Sequence, residues 1–384
     1  DALAARLGGD EFACAFMFDA TTRETVTRVA QRLVTAMNEP MDHDDLHLTV
    51  STSIGIARSD AECTSIEALM RRGDIALYAA KKHGRNTYVW FDASMERELS
   101  ERSKLEGDIR QGIVHGEFLS YYEPQIELST GRLIGFEMLA RWQRPDHGLV
   151  SPELFIPIAE ESGHIGDLSL AVIRRAFEET RDWDPALTLS INISPAQLKD
   201  PWLSQKIRKL LVETGFPAGR LELEITESAL FENLSLAQAI VSSLKNQGIR
   251  IALDDFGSGY GSLAHLRALP LDRIKINRDF VSSVNHSNES AAIVTTIINL
   301  AESLHLGVTA EGIENARIES RLRELGCNEG QGWHFGKPMP VEQARDLVRE
   351  KGLLLTLIGD DDPEPCTPAA ETEEPAGEPI RKAI

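Results

Sequence analysis

Asp254 and Asp255 stand side by side in RIALDDFGSGYGSLAHL, where a run that starts like a buried strand gives way to a stretch holding three glycines. Adjacent carboxylates repel unless a cation, hydrogen-bond donors or open water lie beside them. The same placement recurs along the chain. Glu137 in LIGFEMLARW, Asn192 in LTLSINIS, Glu224 in LELEITES, Lys275 in RIKINRDF and Glu311 in GVTAEGIE each lie toward the end of a short β-rich run that is apolar at its start. Taken singly, each has an ordinary explanation: Asp-Asp as a turn, Asn192 as a turn residue, Lys275 as a surface or salt-bridge lysine, and ITES as a helix-capping sequence. Taken together, the carboxylates would repel one another if gathered without cation partners, and hard divalent ions, Mg²⁺ or Mn²⁺, remove that difficulty. If Asp254 bridges two ions roughly 4 Å apart, a water between them is acidified and placed to attack phosphorus in line.

The elements needed to gather these residues follow from the spacing. Strand-like runs alternate with helical stretches from about Leu105 to Gly352, a length that suits a TIM-like (β/α)8 barrel with mostly parallel pairing. In such a barrel the strand ends open on one face, so groups remote in sequence converge there.

Those stretches resemble the EAL family of cyclic di-GMP phosphodiesterases. FEMLARW is similar to the naming motif, ELEITES to the acidic strand, DDFGSGYGSL to the metal-bearing loop, KIN to the lysine strand, AEGIE to the late glutamate and GCNEGQGWHFGKP to the closing strand. The resemblance implies an irregular first strand, YYEPQIEL, and hydrolysis of cyclic di-GMP to linear pGpG with two ions, Mg²⁺ or Mn²⁺. By the same resemblance, Glu137, Asn192, Glu224 and Asp254 would hold one ion, and Asp254, Asp255 and Glu311 the second. Lys275 would sit near the attacking water with Gln331 close by, Arg141 would bind a ligand phosphate, and Glu227 would anchor the loop from Phe256 to Leu263, which links the site to a homodimer interface. Three positions depart from the family pattern: Met138 for the usual Ala, Glu123 for the usual Gln, and Asn277 for the usual Asp. Asn277 removes a negative charge beside the expected ions, which predicts reduced rather than absent catalysis.

Residues 1–92 form a second unit. RLGGDEFACAF reads as a hairpin with a Gly-Gly turn, and Gly8, Gly9, Asp10, Glu11 and Phe12 match the GGDEF motif of diguanylate cyclases. Lys81 and Arg85, four apart in GDIALYAAKKHGRN, are expected on one helical face near a nucleotide triphosphate. The chain starts six residues before Leu7-Gly8, so the unit is expected to be the C-terminal part of a GGDEF domain that makes no cyclic di-GMP by itself; a complete domain would permit GTP binding or cyclase activity. The fold class is therefore α/β, a barrel (105–352) preceded by a partial GGDEF domain (1–92) and a charged linker helix (93–104), and followed by an acidic, Pro-rich tail (353–384) expected to be disordered.

The formal charge of −20 disfavours sequence-blind binding to nucleic acid or anionic membrane. Cys14, Cys63, Cys327 and Cys366 form no CxxC pair, no membrane-length apolar run occurs and no signal peptide opens the chain, so a cytoplasmic protein is expected. Two rival functions remain: a receptor that binds cyclic di-GMP without cutting it, and a bifunctional cyclase and phosphodiesterase in a longer parent chain.

Overall fold

The computed structural model describes residues 2–18, 23–43, 46–61, 63, 65–257 and 263–354. The chain forms two compact units, Asp1–Gln111 and Gly112–Ile384. The helix Ala93–His115 spans that boundary as one element, running on past the expected linker end at 104.

In the second unit eight strands close into a barrel: β1 (Phe118–Glu127), β2 (Arg132–Arg144), β3 (Thr188–Ile193), β4 (Leu221–Thr226), β5 (Arg250–Phe256), β6 (Arg273–Ile276), β7 (Gly307–Ala310) and β8 (Glu329–Gln331). Strands β2 to β8 pair in parallel in chain order. Strand β1 runs antiparallel to both of its neighbours, β2 and β8. The cause is local: only Leu128 to Gly131 separates β1 from β2, and a connection this short allows a hairpin but no parallel crossover. Gly131, with φ of +71°, takes the left-handed position of that turn.

Side chains alternate across each strand. On β6 and β7 the outward set, Ile274, Ile276, Val308 and Ala310, is buried in a core with Val294, Ile297, Ile298 and Ala301 of the helix Asn288–Ser303. The other set, Arg273, Lys275 and Thr309, faces the barrel interior, where the chemistry is found. The helix after β3 begins at once: Ser194 and Gln197 exchange side-chain and backbone hydrogen bonds in a capping box. That stop fixes the position of Asn192. The ordinary explanation of ITES as a capping sequence is not realised, since the Thr226 side chain at the N-cap makes no cap bond.

Leu353 and Leu354, placed by the sequence in the disordered tail, are instead paired: Asp184 N–H donates to Leu353 O at 2.7 Å, and Leu354 bridges Trp183. Both leucines are partly buried, so apolar contact extends the fold beyond the last helix. The remainder of the expected tail, 355–384, lies outside the described residues. No helix among the described residues is long and apolar enough to cross a membrane.

In the first unit, strands Ala2–Gly8 and Glu11–Phe16 form the expected hairpin around Gly9, whose φ is +53°. Arg6 clamps the turn by donating to Gly9 O at 2.9 and 2.7 Å. A parallel pair, Ile54–Ile56 with Tyr88–Trp90, joins the helix Arg23–Asn38 in a small core of Val26, Ala30 and Ile56.

Gly332 follows β8 with φ of +148°, and a Cβ there would lie 2.3 Å from the Ile313 backbone nitrogen. Substitution Gly332→Ala is therefore expected to destabilise the barrel by about 1–3 kcal/mol, read as a lower urea midpoint. An unchanged midpoint would mean that this close approach is dispensable.

Candidate active site

Strand β5 carries the device that makes an Asp-Asp pair usable. In a regular strand, neighbours point to opposite faces. Here Leu253 pairs with Ile274 and Phe256 with Ile276, so Asp254 and Asp255 together oppose the single residue Lys275. The extra residue is a β-bulge, and Asp255 adopts the left-handed conformation, φ +55°, which Asp tolerates better than most side chains. Both carboxylates thereby reach the same end of the barrel. One oxygen each from Asp254, Asp255 and Glu311 lies within 4.8 Å of the others, and this is the one group of metal-capable His, Cys, Asp or Glu side chains found among the described residues.

Lys275 occupies the centre at 1 % exposure. Its Nζ lies 2.5 Å from Glu224 Oε2, 2.6 Å from Glu311 Oε1, 3.4 Å from Glu137 Oε2 and 3.7 Å from Asp254 Oδ1. Lys275 is thus a salt-bridge partner to the carboxylates as well as one of the converging groups. It is not enough. Burial pushes the Glu311 carboxyl up to about 8 despite Lys275 beside it. Burial also pushes Glu224 well above the carboxylate range, reinforced by the charge of Glu137, and raises Asp254. Glu137 is held low: burial opposes its charge, but Lys275 and hydrogen bonds from Gln331 and Asn192 outweigh that. Lys275 stays protonated, raised far above its usual value by its carboxylate neighbours although burial works against it.

The amide of Asn192 donates to Glu137 Oε1 at 2.6 Å, and Gln331 donates to Glu137 Oε2. Arg141, half-buried and stacked at 5.5 Å over Tyr121, lies four residues beyond Glu137 on β2. Buried Glu227 accepts the backbone N–H of Gly257 at 3.2 Å. Of the loop it was expected to anchor, residues 258–262 lie outside the described residues. Asn277 donates to Asp255 Oδ1 at 2.8 Å and accepts from the N–H of Asp279, so it caps the next helix while touching the acidic cluster.

The donor set suits hard cations: all-oxygen, carboxylate-rich and short of positive charge. One observation tests the fit directly. Glu224 Oε1 is buried and has no hydrogen-bond partner, a costly state for a carboxylate oxygen unless a cation engages it.

The first unit brings together less. Gly8, Gly9, Asp10, Glu11 and Phe12 are exposed on the hairpin, and Phe12 is 72 % exposed. Lys81 and Arg85 do not share a helical face. The helix ends at Lys82, Gly84 takes φ of +98°, and Arg85 N–H closes the end on Ala80 O. Glycine after the cap terminates the helix, which leaves Arg85 in the following turn.

Residues 106–338 match the EAL domain family, and residues 1–87 match the diguanylate cyclase GGDEF domain. The chain belongs to the EAL domain family. It is 35% identical over 343 residues to the bifunctional diguanylate cyclase/cyclic di-GMP phosphodiesterase MucR of Pseudomonas aeruginosa, covering 88% of this chain and 50% of that one. It is 34% identical over 344 residues to the cyclic di-GMP phosphodiesterase PdeR of Escherichia coli, covering 89% of this chain and 52% of that one. A solved MucR phosphodiesterase in complex with cyclic di-GMP superposes with a TM-score of 0.61 at 35% identity, covering 63% of this chain and 99% of that one. The chain thus spans about half the length of the curated relatives it matches.

Sequence reasoning flagged Glu123 only as a departure from the EAL pattern. The antiparallel first strand places it directly opposite Glu137, where burial, then the charge of Glu137, raise its carboxyl to about 7. The native state therefore holds this proton more tightly than the unfolded chain, and stability falls as pH rises from about 4.5 to about 7. In chelator-treated protein, Glu123→Gln is expected to raise the stability at pH 8 by at most about 3 kcal/mol, read as a higher thermal midpoint. The gain should shrink to nothing as pH falls below 4.5. A gain that is equal at both ends of the range would place the effect outside this ionisation.

Proposed function

We propose that the barrel hydrolyses cyclic di-GMP to linear pGpG with two divalent cations, Mg²⁺ or Mn²⁺. The observation that carries this reading is the bulged Asp254-Asp255 pair meeting Glu137, Glu224 and Glu311 around one lysine, with an unpartnered carboxylate oxygen on Glu224. The 35% identity to a phosphodiesterase solved with cyclic di-GMP supports the choice of substrate.

In this reading Glu137, Asn192, Glu224 and Asp254 would hold one cation, and Asp254, Asp255 and Glu311 the second. Bound there, such ions would lower the pKa of water and offset charge on the phosphoryl oxygens. The protein's own groups do the rest. Arg141 binds a ligand phosphate. Lys275 would keep a positive charge beside the phosphate under attack. Gln331 holds the Glu137 carboxylate in place, and Glu227 ties the strand-end loop to the site through Gly257. Water oxygen bonds to phosphorus, the P–O3′ bond breaks, and the proton passes to the leaving oxygen. Pairing of two barrels through the loop after Phe256, and GTP at a complete GGDEF domain, belong to the same reading of the longer protein, as does a bifunctional cyclase and phosphodiesterase.

Asn277 favours a second reading, a receptor that binds without cutting, because it places an amide donor on Asp255 where a carboxylate would add charge. Chromatography of the purified chain with cyclic di-GMP under Mg²⁺, Mn²⁺ and chelator separates the two. Metal-dependent pGpG is expected; tight binding without product would establish the receptor. Substitution Glu137→Ala is expected to cut turnover by more than the roughly 100-fold typical of an outer-shell partner, with the fold retained by circular dichroism, and normal turnover would falsify the assignment. Substitution Asn277→Asp should raise activity at limiting metal by about tenfold. An unchanged metal titration would place Asn277 outside the coordination network.

A further inference from the structure

Beneath the acidic cluster the barrel interior holds a second polar layer. On several strands a polar residue lies two positions before a cluster residue and therefore on the same inward face: Ser190 before Asn192, Glu222 before Glu224, Arg273 before Lys275, and Glu329 before Gln331. Barrel interiors are ordinarily filled by branched apolar side chains. Ser190 and Glu222 are buried, Arg273 and Glu329 partly so, and the layer is hydrogen-bonded throughout. Arg273 donates to Glu222 at 3.1 Å, to Thr309 at 3.0 Å and to Glu329. Ser190 donates to Glu222 Oε1 at 3.3 Å.

Gln125 joins this layer to the site. It stands on β1 opposite both Gln331 and Gly135, is 5 % exposed, and its Nε2 reaches Gln331 Oε1 at 3.0 Å and Ser190 Oγ at 3.3 Å. The hydrogen-bond directions follow from the chemistry. Glu137 is a carboxylate and only accepts, so Gln331 must turn its NH₂ to it. The Gln331 carbonyl then faces Gln125, which must present its own NH₂. Gly135 lies beside it, where a Cβ would clash with Thr188, 2.2 Å from its Oγ1, and lie 3.2 Å from Gln125 Oε1.

We propose that Gln125 is a positioning residue: by holding the Gln331 carbonyl it keeps the Gln331 amide donating to Glu137, and so keeps that carboxylate oriented to receive a cation. Without Gln125 the Gln331 amide is free to rotate, and its oxygen facing Glu137 would repel the carboxylate. The assignment rests on the metal-dependent reading of the site given above.

The test is calorimetric titration of Mn²⁺ into the chelator-stripped full chain, comparing wild type, Gln125→Met, Gln331→Met and the double variant. Gln125→Met is expected to weaken Mn²⁺ binding about tenfold while the KM for cyclic di-GMP holds. Because Gln125 acts through Gln331, the double variant should bind no more weakly than Gln331→Met alone. Ser190→Ala, a smaller change in the same chain of bonds, should weaken binding in the same direction and serves if Gln125→Met fails to fold. Wild-type affinity in both Gln125→Met and Ser190→Ala, or additive losses in the double variant, would overturn the assignment. Absence of Mn²⁺ binding by the wild type would overturn the metal-dependent reading itself and this inference with it.

Discussion

A single buried ammonium among too many carboxylates is the constraint on which the site depends. Lys275 meets Glu224, Glu311, Glu137 and Asp254 within 3.7 Å and is almost wholly removed from water. Leaving buried charge unpaired costs several kcal/mol, yet one lysine balances one carboxylate. Burial therefore pushes the Glu224, Glu311 and Asp254 carboxyls upward, while Glu137 is drawn low by Lys275 and its hydrogen-bond donors. Such a cluster is short of positive charge. That is the electrostatic condition for taking up divalent cations.

The backbone delivers these groups by two departures from a regular parallel barrel. The bulge on β5 turns both Asp254 and Asp255 to one end, where a regular strand would send one of them outward. The antiparallel β1 brings Glu123 opposite Glu137 and Gln125 opposite Gln331. Both departures trace to local sequence. Asp255 tolerates a positive φ, and the short connection after β1 forces a hairpin.

The barrel and its upper ring were legible because their signal is local. Each of Glu137, Asn192, Glu224, Asp254, Lys275 and Glu311 lies in or just after a short run that is apolar at its start, and a parallel barrel gathers such positions, although Glu137 sits inside the long strand β2 rather than at its end. Residues whose role depends on register were not legible. Gln125 and Glu123 gain their partners only once β1 is known to run antiparallel. The lower layer was visible in principle as a polar residue two before a site residue, but Ser190, Glu222 and Arg273 read equally as surface positions. The joint use of Lys81 and Arg85 failed for a different reason: helical spacing was extended across Gly84, which ends the helix. At the C-terminal end, Leu353 and Leu354 sat too close to the acidic tail for composition to separate them from it.

The most direct test is anomalous diffraction from crystals of the chain grown or soaked with Mn²⁺. The account predicts two anomalous peaks roughly 4 Å apart, one beside Glu137, Asn192, Glu224 and Asp254 and the other beside Asp254, Asp255 and Glu311, with Lys275 Nζ withdrawn from Glu224. Crystals without a peak at saturating Mn²⁺, and with Lys275 still held among its carboxylates, would contradict it.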